Sequence, residues 1–149
     1  MAEVLFYHLT ESTLDEALPP LLEKSVERGW RVVVQSGGEE RRDALDAHLW
    51  TWRDDSFLGH GIDSDPLAAE QPILLTASQD NRNGATVRFL VDGAEPPPLD
   101  GYERAVFLFD GHDESQLAQA RGQWKSLKAA GHQVTYWQQT EGRRWERKA

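Results

Sequence analysis

Six short apolar runs punctuate the chain: VLFYHL (4–9), RVVVQS (31–36), QPILLT (71–76), ATVRFLV (85–91), RAVFLF (104–109) and QVTYW (133–137). Each is rich in Val, Leu or aromatic residues and bounded by Gly, Pro, Asp or Asn, the pattern of a β-strand. VLF, VVV and VFLF are apolar without alternation, which predicts burial on both faces, as in the middle of an α/β sheet.

Three stretches with helical period lie between these runs. Thr13 can cap the first, which turns Leu14, Ala17, Leu21, Leu22 and Val26 inward. Pro19 and Pro20 predict either a helix restart or a kink, and Gly29 a stop. The second helix spans Glu39 to Leu49, with Ala44, Leu45, His48 and Leu49 inward. The third runs from Asp113 to Ala130, acidic at its start and basic later, with Gly131 ending it.

The resulting order is β-α-β-α-loop-β-β-β-α-β. Alternation at both ends predicts a three-layer α/β domain with a partly parallel central sheet. One domain is expected over residues 1–149, the last ~10 residues reading as a tail. The stretch 50–70 has no period, and loops of that length in small domains commonly carry function. DGAEPPPLDG (92–101) reads as a surface connection between strands.

Composition removes several chemistries. Without a single Cys, the chain has no disulfide scaffold, Cys-ligated zinc, iron–sulfur cluster or thiol nucleophile. The start, MAEVLFYHLT, has neither a basic leader nor a long apolar run, so neither export nor a membrane span is expected. The net charge of −9 is uneven: from Arg121 onward there are seven Lys or Arg against Glu141 and Glu146, while the first 120 residues carry −14. Such an acidic body repels nucleic-acid phosphates, and a compact basic patch on it suits one local acidic ligand. A merely solvated basic tail, or a tail that touches DNA directly, are the alternatives for the last residues.

No GxxxxGK[ST] or strand-following GxGxxG is present, and the first strand–helix junction, HLTESTLDEA, lacks glycine, which argues against phosphate binding. No serine sits in a GxSxG elbow. Asp54, Asp55, His60, Asp63 and Asp65 fall within twelve residues and raise the alternative of a metal-dependent hydrolase using Asp54, Asp55 and His60. Their spacing fits no established ligand set, and exposed loops are commonly rich in Asp and His. The third helix is more telling. Leu117, Ala120, Trp124, Leu127 and Gly131 form one stripe, and Arg121, Lys125 and Lys128 the neighbouring one. Two readings stand: a wet helix face that happens to be basic, or a basic flank for an anionic ligand, with Trp124 at its border.

FYHL, LDAHLWTWRDDSFLGHG, QPILLT and ARGQWKSLKAAGHQVTYWQ together resemble the chi subunit of bacterial DNA polymerase III holoenzyme, over nearly the whole chain and in order. The most specific segments are LW followed by SF-x-x-H, and R-x-x-W-K-x-x-K followed by AG. The resemblance implies a non-catalytic, cytoplasmic replication accessory subunit without cofactor or metal. Its fold would be Rossmann-like or helicase-like, lacking a working phosphate-binding loop. It further implies that one surface binds the acidic C-terminal tail of single-stranded DNA-binding protein. Another would meet the psi subunit and, through it, the clamp loader, with DNA reached only indirectly. By motif match the tail pocket would use Trp50, Phe57, Arg121, Trp124, Lys125 and Lys128. Such a tail ends in acidic residues, a hydrophobic dipeptide and a free carboxylate. Trp50 and Phe57 would form the apolar floor, Arg121 the bidentate cation, and Lys125 and Lys128 the charged flank. Some family members carry Tyr at the position of Trp124 and Arg at that of Lys128. Lys128 therefore supplies charge without the planar fork. Trp52 has no role to inherit.

Overall fold

A computed structural model describes residues 2–51, 59–142 and 144–149. In chain order the elements are β1 (Glu3–Leu9), α1 (Leu14–Glu27), β2 (Val32–Gln35), α2 (Glu39–Thr51), β3 (His60–Ile62), a 3-10 turn (Ala68–Glu70), β4 (Ile73–Thr76), β5 (Val87–Leu90), β6 (Arg104–Asp110), α3 (Glu114–Ala129), β7 (Gln133–Gln139) and β8 (Trp145–Arg147). The strands form one sheet in the order β3-β4-β2-β5-β6-β1-β7-β8. Every pairing is parallel except β7 with β8. The sheet is thus more uniformly parallel than the sequence suggested. It also gains β3 and β8, three-residue strands too short to show a period. The expected tail is therefore partly an edge strand.

Two cores follow from the alternation of side chains along each strand. In β6, Ala105, Phe107 and Phe109 face one core, closed by Leu117, Trp124 and Leu127 of α3. Val106 and Leu108 face the other, closed by Leu18 and Leu22 of α1 and by Leu45 and Leu49 of α2. Helices α1 and α2 therefore cover one face and α3 the opposite one, the three layers expected.

Local chemistry explains where each helix starts and stops. Thr13 and Glu16 form a reciprocal capping box at α1. Gly29, at φ +80°, closes the helix with Gly29 N–H to Val26 O at 2.9 Å and Trp30 N–H to Ser25 O at 3.1 Å, a Schellman motif. Asp113 caps α3 by accepting from Ser115 and Gln116 N–H. The proline pair neither breaks α1 nor restarts it. Pro19 removes the N–H that would have bonded Asp15 O, and His48 Nε2 of α2 bonds that carbonyl instead, at 2.7 Å. A tertiary hydrogen bond replaces the missing helical one.

One cation is drawn fully into the core. Arg88 of β5 spends its guanidinium on Gln35 Oε1 (3.2 and 2.7 Å), Ser78 O (2.8 Å), Asp80 O (3.0 Å) and Tyr102 Oη (2.9 Å). It thereby ties the loop after β4 to the middle of the sheet.

Candidate functional site

Chain connectivity places two openings side by side. β1 passes to α1 on one face and β6 to α3 on the other, and open α/β sheets bind ligands outside strand carboxyl ends where connections diverge in this way. Here that crevice, about 280 Å³, is crossed by Arg41, which bonds Asp15 at 3.1 Å and Asp92 at 2.6 Å. The flanking helix starts are occupied by the chain's own oxygens, those of Thr13 and Asp113. This is the junction whose sequence lacked glycine, and its electrostatics are internally satisfied.

The second opening lies between α3 and β7. It is a groove of about 440 Å³ lined by His8, Phe109, Leu117, Ala120, Arg121, Trp124, Lys125, Tyr136 and Ala149. Strand register builds its floor: His8 pairs with Phe109, and Phe6 with both Phe107 and Tyr136, so alternate residues of three adjacent strands form one aromatic row. His8 stacks on Phe109 with ring centroids 5.0 Å apart, and its Nδ1 lies 2.7 Å from Tyr136 Oη. Trp124 descends from α3 and meets Phe6 and Tyr136 edge to face, each at 5.8 Å. Gly111 is required beside this row, because a Cβ there would come within 2.3 Å of His8 Nε2 and 2.6 Å of Leu9 O.

The charged side chains of the groove are of one sign. Arg121 and Lys125 rise from the α3 wall, and Lys128 Nζ sits 5.5 Å over the Trp124 ring. Among the described residues none of these three cations is in an ion pair, and no Asp or Glu side chain lines the groove. Burial pushes the Tyr136 phenol up, with the Arg121 charge opposing. Burial, helped by His112 and opposed by Asp110, pushes the His8 imidazole down, which favours its neutral form.

The residues singled out from sequence divide between distant places. Arg121, Trp124 and Lys125 share the groove, with Lys128 on its border. Trp50 does not join them and is not among the residues that line the groove. It ends α2, which packs on β3 and β4 at one edge of the sheet, whereas α3 packs on β6 and β7 toward the other edge and on the opposite face. Its ring lies 4.6 Å from that of His60 and is 56% exposed. Phe57, like Trp52, Asp54 and Asp55, lies outside the described residues. The floor comes instead from His8, Phe109 and Tyr136, which periodicity alone did not mark. Their signal was the ring side chains at alternate positions in FYHL (Phe6, His8) and VFLF (Phe107, Phe109), with Tyr136 in TYW.

The other members of the proposed metal cluster have structural engagements. His60 is buried with Nε2 3.1 Å from Asp46 Oδ1. Asp63 pairs with Arg42 at 2.7 Å and accepts from Thr76, while Asp65 accepts from Ile62 N–H. Among the described residues no group of three potential ligands could hold a metal ion, and no helix is long and apolar enough to cross a membrane.

Comparison with known proteins adds an independent finding. The family model described as DNA polymerase III chi subunit, HolC, matches residues 1–135. A curated protein of Rickettsia prowazekii (strain Madrid E), named probable DNA polymerase III subunit chi, is 29% identical over 91 residues, which are 61% of this chain and 55% of that protein. The chain thus spans about half the length of the curated relative it matches.

Proposed function

Because the chain belongs to the DNA polymerase III chi subunit family, a family of replication accessory subunits, we propose that its α3 groove receives the acidic C-terminal tail of single-stranded DNA-binding protein. The observation that carries this reading is the pairing of an apolar aromatic floor with three cations that, among the described residues, are in no ion pair. A tail of acidic residues, an apolar pair and a free carboxylate asks for both at once. Its terminal side chain would enter over Phe109, Tyr136 and Trp124, its carboxylate would face Arg121, and its acidic residues would pass Lys125 and Lys128. The Arg121 guanidinium can grip a carboxylate through two parallel N–H bonds, which an ammonium cannot. Only a few residues engage, so affinity is expected near micromolar, about −8 kcal/mol.

Linkage to the clamp loader through a psi subunit belongs to a separate surface in this reading. The exposed large hydrophobics of the described residues are Trp50, against His60 of β3, and Leu67, in the connection that follows β3, and neither lines the groove. An exposed aromatic such as Trp50 suits a protein partner, and its place on the face opposite α3 would allow both partners to bind together.

The test is a calorimetric titration with the tail peptide, with and without its terminal residue, at low and high salt. Binding that needs the terminal residue and weakens with salt supports the groove assignment. Equal binding of the truncated peptide would remove it.

A further inference from the structure

A second groove opens on the other face of the sheet, between α1 and the β7–β8 edge, and nothing in the reading above uses it. It consists of two cavities. The inner one, about 170 Å³, reaches down to Phe89 and Val106 and is walled by Tyr7, Trp30 and Trp145. The outer one, about 280 Å³, continues along α1 past Ala17 and Pro20 to Ser12 and Gln139. Leu21, Lys24 and Trp145 line both, so the two form one channel. The walls at the inner end are aromatic and firmly held: the Tyr7 and Trp145 rings are 4.5 Å apart, and the Arg28 and Arg104 guanidinium carbons lie 5.0 and 4.8 Å from the Trp30 ring.

The charge of this channel is opposite to that of the molecule. Lys24, Arg28 and Arg104 line the inner cavity, among the described residues no Asp or Glu side chain does, and the chain as a whole carries −9. Arg104 is partly neutralised by Glu3 at 3.2 Å, but Lys24 and Arg28 are in no ion pair among the described residues. Glu16 lines the outer end, so the field runs from positive at Arg28 to negative at Glu16.

We propose that this channel is a second docking site, for an extended acidic peptide segment whose bulky apolar side chain fills the inner cavity over Phe89 and Val106. Length favours a peptide over a small anion. From Glu16 to Arg28 the helix wall extends about 18 Å at ~1.5 Å per residue, room for roughly five extended residues. The charge gradient favours a short acidic segment over a nucleic acid strand. A polyanion would have to continue past Glu16 and over an acidic body. Carboxylates of the segment face Arg28 and Lys24, and the polar end at Ser12 and Gln139 receives its backbone. A blocked C-terminus suffices here, unlike in the α3 groove, and the two sites lie on opposite faces.

The test uses the full chain and a five-residue peptide with acetylated and amidated ends, two glutamates followed by leucine, phenylalanine and glycine. Backbone and indole NMR shifts are followed during titration. The expected result is saturable shifts in α1 and in the Trp30 and Trp145 indoles. Lys24→Gln with Arg28→Gln, both exposed positions, should weaken binding about tenfold. Arg121→Ala should leave it unchanged, and replacing the glutamates by lysines should abolish it. The proposal is overturned if shifts confine themselves to α3, if the lysine peptide binds equally, or if saturation is absent at millimolar peptide. A single-stranded oligonucleotide that produces the α1 shifts when the peptide does not would also overturn it.

Discussion

Arg88→Met replaces a guanidinium that is fully buried in the sheet with an apolar chain of similar length. The five bonds it removes end on two carbonyls, one amide oxygen and one phenol, and none on a carboxylate. Two opposing terms decide the outcome. Methionine escapes the desolvation of a buried cation, the same burial that pushes the Arg88 pKa down. Against that, Gln35 Oε1 and Tyr102 Oη stay buried and lose their partner, at about 1–3 kcal/mol each, while Ser78 O and Asp80 O can turn to water. The cation is already satisfied by five bonds, so the orphaned acceptors should dominate, for a net loss of about 2–4 kcal/mol. For a chain of this size that corresponds to a fall in Tm of roughly 5–15 °C. Urea unfolding followed by tryptophan fluorescence gives the free energy, and amide exchange reports whether residues 77–83 open first. A variant as stable as the parent, or more so, would refute the reasoning and show that desolvation outweighs the network.

Other predictions concern the helix pair and the groove. His48→Ala leaves Asp15 O without the donor that replaces Pro19 N–H, and should cost about 1–2 kcal/mol in the same unfolding assay. Restoring Pro19→Ala in that background should recover most of the loss, since the helix then supplies its own N–H. His8 gives a pH signature. Its folded-state pKa lies below the ordinary 6.5, so the fold favours the neutral ring. That contribution to stability is fully present above pH 6.5 and is lost as pH falls through the interval between 6.5 and the lowered value. In the folded protein the ring takes its proton only as pH falls through the lowered value, where it adds a cation to the groove, so acidic-peptide affinity should rise there, at the lower edge of the interval in which stability is lost. In His8→Asn both slopes should flatten, as seen by calorimetry and thermal unfolding across pH 5 to 8.

Much of this architecture was legible because it rests on local signals. The six apolar runs all became strands, and the Thr13 cap of α1 and the stop glycines of α1 and α3 were readable in place. The stripes of α3 correctly put Trp124 toward the core with Arg121, Lys125 and Lys128 beside it. What escaped depends on partners distant in sequence. The proline pair is tolerated because of His48 in the next helix, and Arg88 is satisfied by Gln35, 53 residues away. His8, Phe109 and Tyr136 become one floor only through strand register. Trp50 seemed to belong with Trp124 because motif order carries no spatial side. The crossover that sends α2 to one face and α3 to the other separates them.

The central claim is tested most directly by one comparison: the dissociation constant of the acidic tail peptide for the parent chain and for Arg121→Ala, measured at the same salt and with unfolding curves showing both folded. Removing a charge-assisted bidentate contact is worth about 1.5–3 kcal/mol, so affinity should fall by roughly ten- to a hundredfold. An Arg121→Ala variant that binds the tail as tightly as the parent would contradict the account.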